Sequence, residues 1–550
     1  MTSMPILPSS HGDTAVGLDA HEDHRFSRLW ACAEITLMVV LFFVFAGTPP
    51  PDVNEAHYVA KAKHYWDPDW CPHDHFLNAA DAHLMFYWAF GWLTLFFDLP
   101  SVTWIGRVIT WVLLAWSWRR LSVVIVPARL YAPLGAALFA TLMQWGHMAG
   151  EWVIGGVEAK GFAYVLIFLA LEAFLRNRWR RAIILLGGAT AFHVIAGGWT
   201  VVAMAGVWAA TNKNERPSLR SLLPACIVSG ILALIGLIPG LALSWSVDPE
   251  IVSEANRIYV FERLSHHLLF HALPHVYVAR HAALLVVWVG FIFWSNSDVP
   301  EPARRLRRLQ HVVAGAVIIA IVGIVLDQSL LYFRATAASV LRYYWFRLSD
   351  VMLPLGLTFG LTTALYHLQT SRSPSFVWSL GLTLLLITTN VGHVVYEHIN
   401  DPRPGAVSQS LPADGLSRDE RMQRFQAWLR VCAWIRENTP NDSTFLTPRH
   451  QQTFQWYAYR SEVVSAKNFP QDAAGIVEWR RRLNDVFPRW MEQGDLSAHG
   501  EQRVIKLAKK YAFQYVVIDR TVSPRRLQFP RTYPRGNGES SMYEVYEVPK

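Results

Sequence analysis

What most constrains this chain is a succession of apolar blocks closed by short arginine clusters. The blocks cover 29–46, 84–99, 104–118, 130–147, 162–175, 182–195, 199–210, 222–243, 282–294, 312–324, 351–366 and 376–396. Blocks of this length satisfy their own backbone only as helices in lipid, so the chain reads as a polytopic α-helical membrane protein. Charged residues make up 17% of the 550, below the roughly 25% of soluble domains. The 50 Lys and Arg against 42 Asp and Glu leave a formal charge of +8. Much of that excess sits at the ends of apolar blocks, as the positive-inside rule expects of cytoplasmic loops, and it does not point to nucleic acid.

The clusters set an expected topology. Arg25 and Arg28 place residues 1–28 in the cytoplasm as a tail. The polar start holds no short cleavable apolar core, so the first helix is expected to remain as an anchor. Block 84–99, at sixteen residues, is shorter than the ~20 a spanning helix needs. If it spanned, Arg119 and Arg120 would land outside, so it is read as lying against or dipping into the membrane. The remaining clusters then alternate over eleven spans, giving a transmembrane domain over 29–400 with the carboxyl terminus extracytoplasmic. Residues 401–415, rich in Pro, Gly and Ser, read as a linker. Residues 416–550 read as an extracytoplasmic α/β domain, with helices over 418–437 and 473–482 and strands over 444–446, 515–518 and 543–548. Cys32, Cys71, Cys226 and Cys432 show no CxxC spacing and read as unrelated thiols, with a Cys71–Cys432 bridge as the alternative. An inner or plasma membrane location follows.

The first outer loop, 48–83, concentrates acids and histidines next to aromatics. Pro49, Pro50 and Pro51 stop the first helix for want of amide donors. From 54 to 66 the pattern is an amphipathic interfacial helix expected to show Glu55 and Lys63 on its polar side. Acids, bases and polar groups on the same expected face include Asp52, Asn54, His57, Tyr58, Glu151, Glu158, Lys160, His193, Arg257, Arg263, Arg342 and Arg347. Charges at span ends on one side of a membrane imply a polar cavity there, and arginines suit phosphate oxygens. Each has a plainer reading as well. Glu158 with Lys160 reads equally as an interfacial ion pair, His193 as a core histidine, and Arg342 with Arg347 as snorkelling side chains. His73, His75, Asp81 and His83 have the side-chain types of a divalent-ion site without a recognised spacing.

A first helix, an outer (Asp/Asn)-Glu-x-x-Tyr loop, interfacial helices and many further spans resemble the GT-C glycosyltransferases. Here the motif is Asn54-Glu55-Ala56-His57-Tyr58, and the likeness covers the first ~210 residues best. The resemblance implies transfer of a sugar from a polyprenyl-(pyro)phosphate donor to a lipid, glycan or protein acceptor on the outer face. It implies Glu55 or Asp52 as general base, with Lys160, Arg257, Arg263, Arg342 and Arg347 on the donor phosphate. Asn54, His57, Tyr58, Glu151, Glu158 and His193 would line the substrate cavity. A divalent cation is compatible with this chemistry and not required by it. Asn54 stands where the family usually has Asp. That departure leaves open a non-catalytic glycan-binding or assembly protein, and a transporter is the third reading.

Overall fold

The structure is a computed structural model describing residues 13–294, 301–411, 415–491, 494–535 and 541–549. Residues 1–12 of the expected tail and 412–414 of the expected linker lie outside them. The chain is mostly helical. Among the described residues, seven helices are long and apolar enough to cross a membrane. These are Arg28–Ala46, Leu99–Ile125, Leu219–Ala242, His275–Ile292, Arg304–Ser329, Arg347–Thr370 and Ser375–Asn400. Four further apolar blocks form shorter helices, Tyr131–Gly146, Ala159–Leu175, Trp179–Phe192 and Val194–Ala210, of 14 to 17 residues. They pack against neighbouring helices, and Ala159–Leu175 is buried along almost its whole length.

Block 84–99 is not one helix. It breaks into a helix over Leu84–Ala89 and a 3-10 turn over Gly91–Leu95. Asp98 then caps the long helix Leu99–Ile125 by accepting from the Ser101 amide. Arg119 and Arg120 lie inside that helix and not in a loop, paired with Glu34 and Glu172 at 2.6 and 3.0 Å. The first helix runs back to Asp13, further than the apolar block alone indicates.

The carboxyl-terminal region carries a five-stranded sheet of β1 (Thr444–Leu446), β2 (Ser461–Glu462), β3 (Tyr515–Asp519), β4 (Arg531–Tyr533) and β5 (Tyr543–Glu547). The order is β2-β1-β3-β5-β4, with β1 parallel to β2 and β3, and β5 antiparallel to β3 and β4. Alternating Val516, Ile518 and Val517 bury both faces of β3, against Trp479 and Leu483 on one side and Trp428 on the other. Helix Arg418–Asn438 begins with a capping box between Ser417 and Glu420, worth about 1 kcal/mol.

This region is not tethered loosely. Residues 401–411, expected as a solvated linker, bury Arg403, Ala406, Val407, Ser410 and Leu411. The Ala406 amide donates to the Pro51 carbonyl, and Gln452 donates to the Ala406 carbonyl at 2.9 Å. Buried Asp74 of the first loop accepts from Gln455 and from the Glu462 amide, both at 2.9 Å. Helix Pro249–Arg257 joins the same apolar cluster through Ala255 and Ile258 at its end. All four cysteines are free thiols, Cys71 and Cys432 included.

Candidate functional site

Helix Glu55–Trp66 positions the site, and its two faces do different things. At i, i+4 and i+7, Glu55, Val59 and Ala62 point into the protein, and all three are buried. On the neighbouring stripe Asn54, His57, Tyr58 and Lys61 line a cavity of about 530 Å³. The cavity is closed by His83 of the first loop and Tyr87 of the helix Leu84–Ala89, Trp152 and Lys160, Tyr259, Arg263 and His267, Tyr344 and Arg347. Gln409, Gln452, Lys467, Phe469 and Gln471 complete it from the carboxyl-terminal region. It therefore lies between the ends of the apolar helices and the sheet-bearing unit.

Glu55 is turned away from this space. Its carboxylate takes Arg107 side-on, Nε to Oε1 at 2.7 Å and a terminal nitrogen to Oε2 at 2.6 Å. The amides of Val157 and Asp52 donate to the same two oxygens at 2.7 and 2.6 Å. Arg107 is itself fully buried and also reaches the carbonyls of Ala46 and Thr48. The carboxylate thus ties the first loop to the helix Leu99–Ile125. A Cβ on Gly156 would approach its carboxyl carbon to 2.6 Å, so only glycine lets the loop close over it. Asp52 is also outside the cavity, where its Oδ1 accepts from the Val53 amide and abuts Gly405. Neither of the two expected bases, Glu55 and Asp52, lines the cavity.

Of the expected phosphate ligands, Lys160, Arg263 and Arg347 do line the cavity. Lys160 lies 3.4 Å from Glu158 and 3.5 Å above the Trp152 ring centroid. Arg347 stacks on Tyr344 and stands 3.3 Å from Glu151. Arg263 Nε is buried with no hydrogen-bond partner among the described residues, and so is His57 Nε2. Arg257 and Arg342 are elsewhere: Arg257 is exposed and clamped by Glu254 and Glu262, and Arg342 donates to Asn256 at 2.6 Å. Lys61 and Lys467 stand in their place, so the lining holds five Lys and Arg cations.

The carboxylates near the cavity are mostly engaged. Glu158 accepts from Asn54 at 2.9 Å, and burial holds it above the usual carboxyl range against the pull of Lys160 and Asn54. Glu151 pairs with Lys160 and Arg347 beneath it. Asp81 faces the cavity and holds the His83 ring, Oδ1 to Nδ1 at 2.7 Å, with Lys61 at 3.7 Å on its other oxygen. Burial raises Asp81, but His83 and Lys61 outweigh it and keep the carboxyl below its usual range. Burial, then Arg263 and Lys467, push His57 down to about 3, so it is a neutral donor–acceptor in the cavity wall. His193 caps the helix Val194–Ala210 and packs its ring 5.7 Å from that of His83.

The four expected metal candidates do not converge. His73 is exposed, His75 meets the Gly475 carbonyl at 3.2 Å, and only Asp81 and His83 reach the cavity together. Among the described residues no three His, Cys, Asp or Glu side chains are grouped to hold an ion. The sequence profile of a family described as a domain of unknown function (DUF6798) matches residues 426–486. That stretch contains Gln452, Lys467, Phe469 and Gln471, four of the five residues through which the carboxyl-terminal region reaches the cavity. No curated protein matches the chain.

Proposed function

We propose that this protein is a GT-C-like membrane glycosyltransferase that accepts a sugar carried on polyprenyl phosphate or pyrophosphate and passes it to an acceptor on the outer face. The observation that carries the reading is the cavity itself. Five cations face a space of about 530 Å³ also lined by Tyr, Trp, Phe and three Gln side chains, at the ends of apolar helices. Cations bind phosphate oxygens, with Arg making two parallel bonds, while amides and aromatic faces suit a sugar. A lipid tail needs the apolar helix surfaces that surround the cavity mouth. In this reading the four short helices also cross, giving eleven spans, and the irregular segments at their ends line the cavity where bare backbone is tolerated. Residues 1–28 are then cytoplasmic and the sheet-bearing unit extracytoplasmic.

The reaction asks the cavity for two things beyond binding. Positive charge must meet the phosphate as the anomeric C–O bond breaks, and Lys160, Arg347 and Arg263 supply it. The acceptor must be held at the anomeric carbon, and the Gln-bearing wall from the carboxyl-terminal region supplies that contact. The test is binding of radiolabelled polyprenyl phosphate by the full chain in detergent, against polyprenol lacking phosphate. Binding that requires phosphate, with release of free polyprenyl phosphate from a panel of sugar-bearing donors, is the expected result. Equal binding of polyprenol and polyprenyl phosphate contradicts the reading. The withdrawal of Glu55 and Asp52 from the cavity favours a second reading, a glycan-lipid binding protein, which shows as phosphate-dependent binding without release from any donor.

A further inference from the structure

The cavity contains one hydrogen-bonded chain of side chains built for moving a proton, and it lies outside the Asn54-Glu55 motif. It starts at Asp81, whose Oδ1 accepts both the His83 backbone amide at 2.8 Å and the ring Nδ1 at 2.7 Å. That two-point grip fixes the ring and places its proton on Nδ1, which leaves Nε2 free to accept. Nε2 meets the Tyr58 hydroxyl at 3.2 Å, the two rings lying edge-on at 4.9 Å. Both Tyr58 and His83 line the cavity. Lys61 on Asp81 Oδ2, Tyr87 beside Asp81, Gln471 at 3.4 Å from Nδ1 and the His193 ring complete the surroundings.

Resting on the glycosyl-transfer reading, we propose that His83, oriented by Asp81 and reached through Tyr58, is the general base that takes the acceptor's proton. As the acceptor oxygen bonds to the anomeric carbon, its proton passes to the Tyr58 oxygen while the Tyr58 proton passes to His83 Nε2. The anomeric C–O bond breaks with its electron pair left on the phosphate, held by Lys160, Arg263 and Arg347. His83 carries the positive charge opposite Asp81 and returns the proton to solvent afterwards. Burial, then Glu158 and Asp81, hold the Tyr58 hydroxyl well above its usual range, so Tyr58 hands a proton on and is not itself the base. Tyr58 touches the acceptor hydroxyl, His83 takes the proton through Tyr58, and Asp81 is a positioning residue.

The experiment measures donor turnover and polyprenyl-phosphate binding for the full chain carrying His83→Gln, His83→Ala, Tyr58→Phe or Asp81→Asn. A positioned base contributes about 10²–10⁴-fold, so His83→Gln is expected to lower turnover by about that factor with polyprenyl-phosphate binding within twofold of wild type. Imidazole added to His83→Ala restores part of the loss. Tyr58→Phe, which removes one hydroxyl and keeps the ring, lowers turnover about tenfold or more, on the scale of one lost relay contact. Asp81→Asn lowers kcat and leaves the donor KM unchanged. Turnover of His83→Gln within threefold of wild type overturns the assignment while the glycosyltransferase reading stands. So does a folded His83→Ala that imidazole does not rescue. A wild-type protein that releases nothing from any donor overturns the reading and the base together.

Discussion

Two carboxylates of the first outer loop, Glu55 and Asp81, stand in one element cluster and have opposite fates. Glu55 meets a fully buried guanidinium and two backbone amides, so its oxygens are used up in holding the loop to the helix Leu99–Ile125. Asp81 meets an imidazole whose far nitrogen opens, through Tyr58, onto the cavity. Both are nearly inaccessible. In the proposed account, what separates a strut from a carboxylate that orients a base is the next partner in the chain of contacts, not burial or residue type.

The strongest way to break this contrast is Glu55→Gln. It leaves the buried Arg107 charge uncompensated, which costs about 3–5 kcal/mol. A matching fall in unfolding free energy in detergent is expected, with unchanged turnover per folded molecule. A Glu462→Gln variant sharpens it with a third buried carboxyl, one that has Thr447, Gln455 and Asn468 but no cation. Burial and Asp74 push Glu462 up to about 7 from an ordinary 4.5. Because the folded value is the higher, the docking of the first loop on β2 is fully favoured below about 4.5 and weakens as pH rises through 7. The change is on the order of 3 kcal/mol. The hydrogen-exchange protection factors of residues 73–78, corrected for the intrinsic pH dependence of exchange, are expected to fall over that window in wild type and stay level in Glu462→Gln.

Smaller effects follow at the cavity wall. Arg263→Ala removes a cation with an unpartnered Nε, and one charge-assisted bond is worth about 1.5–3 kcal/mol. Polyprenyl-phosphate affinity is expected to fall about tenfold or more, with the unfolding midpoint unchanged, in a direct binding titration. His73→Ala is the smallest: the side chain is exposed, its backbone amide rather than its ring meets Ser461, and turnover and stability are expected to stay at wild-type values in the same two assays.

Much of this arrangement was legible in the sequence, and the reasons for the remainder are physical. The apolar blocks become helices because length and composition leave lipid-exposed backbone no alternative. Strands over 444–446, 515–518 and 543–548 follow from short β-branched and aromatic runs, and lie where the structure has β1, β3 and β5. Asn54, His57, Tyr58, Lys160, Arg263 and Arg347 line one cavity, and all six belong to segments that the arginine clusters lead one to expect on one side of the membrane. The sequence reading puts Glu55 on the polar side of its helix, whereas it shares the buried stripe of Val59 and Ala62. Arg107, inside the apolar block 104–118, went unread, although an arginine inside an apolar run requires a partner. The contributions of Gln409, Gln452, Lys467, Phe469 and Gln471 had no such signal. They reach the cavity because residues 401–411 and the segment around Gln455 and Glu462 pack onto the first loop, contacts that no local pattern encodes.

The most direct measurement sets Glu55→Gln beside His83→Gln in one experiment, recording the unfolding midpoint and the donor turnover per folded molecule for each. The account predicts that Glu55→Gln unfolds early and turns over normally, while His83→Gln unfolds like wild type and has lost turnover. An inert but stable Glu55→Gln beside an active His83→Gln would contradict it.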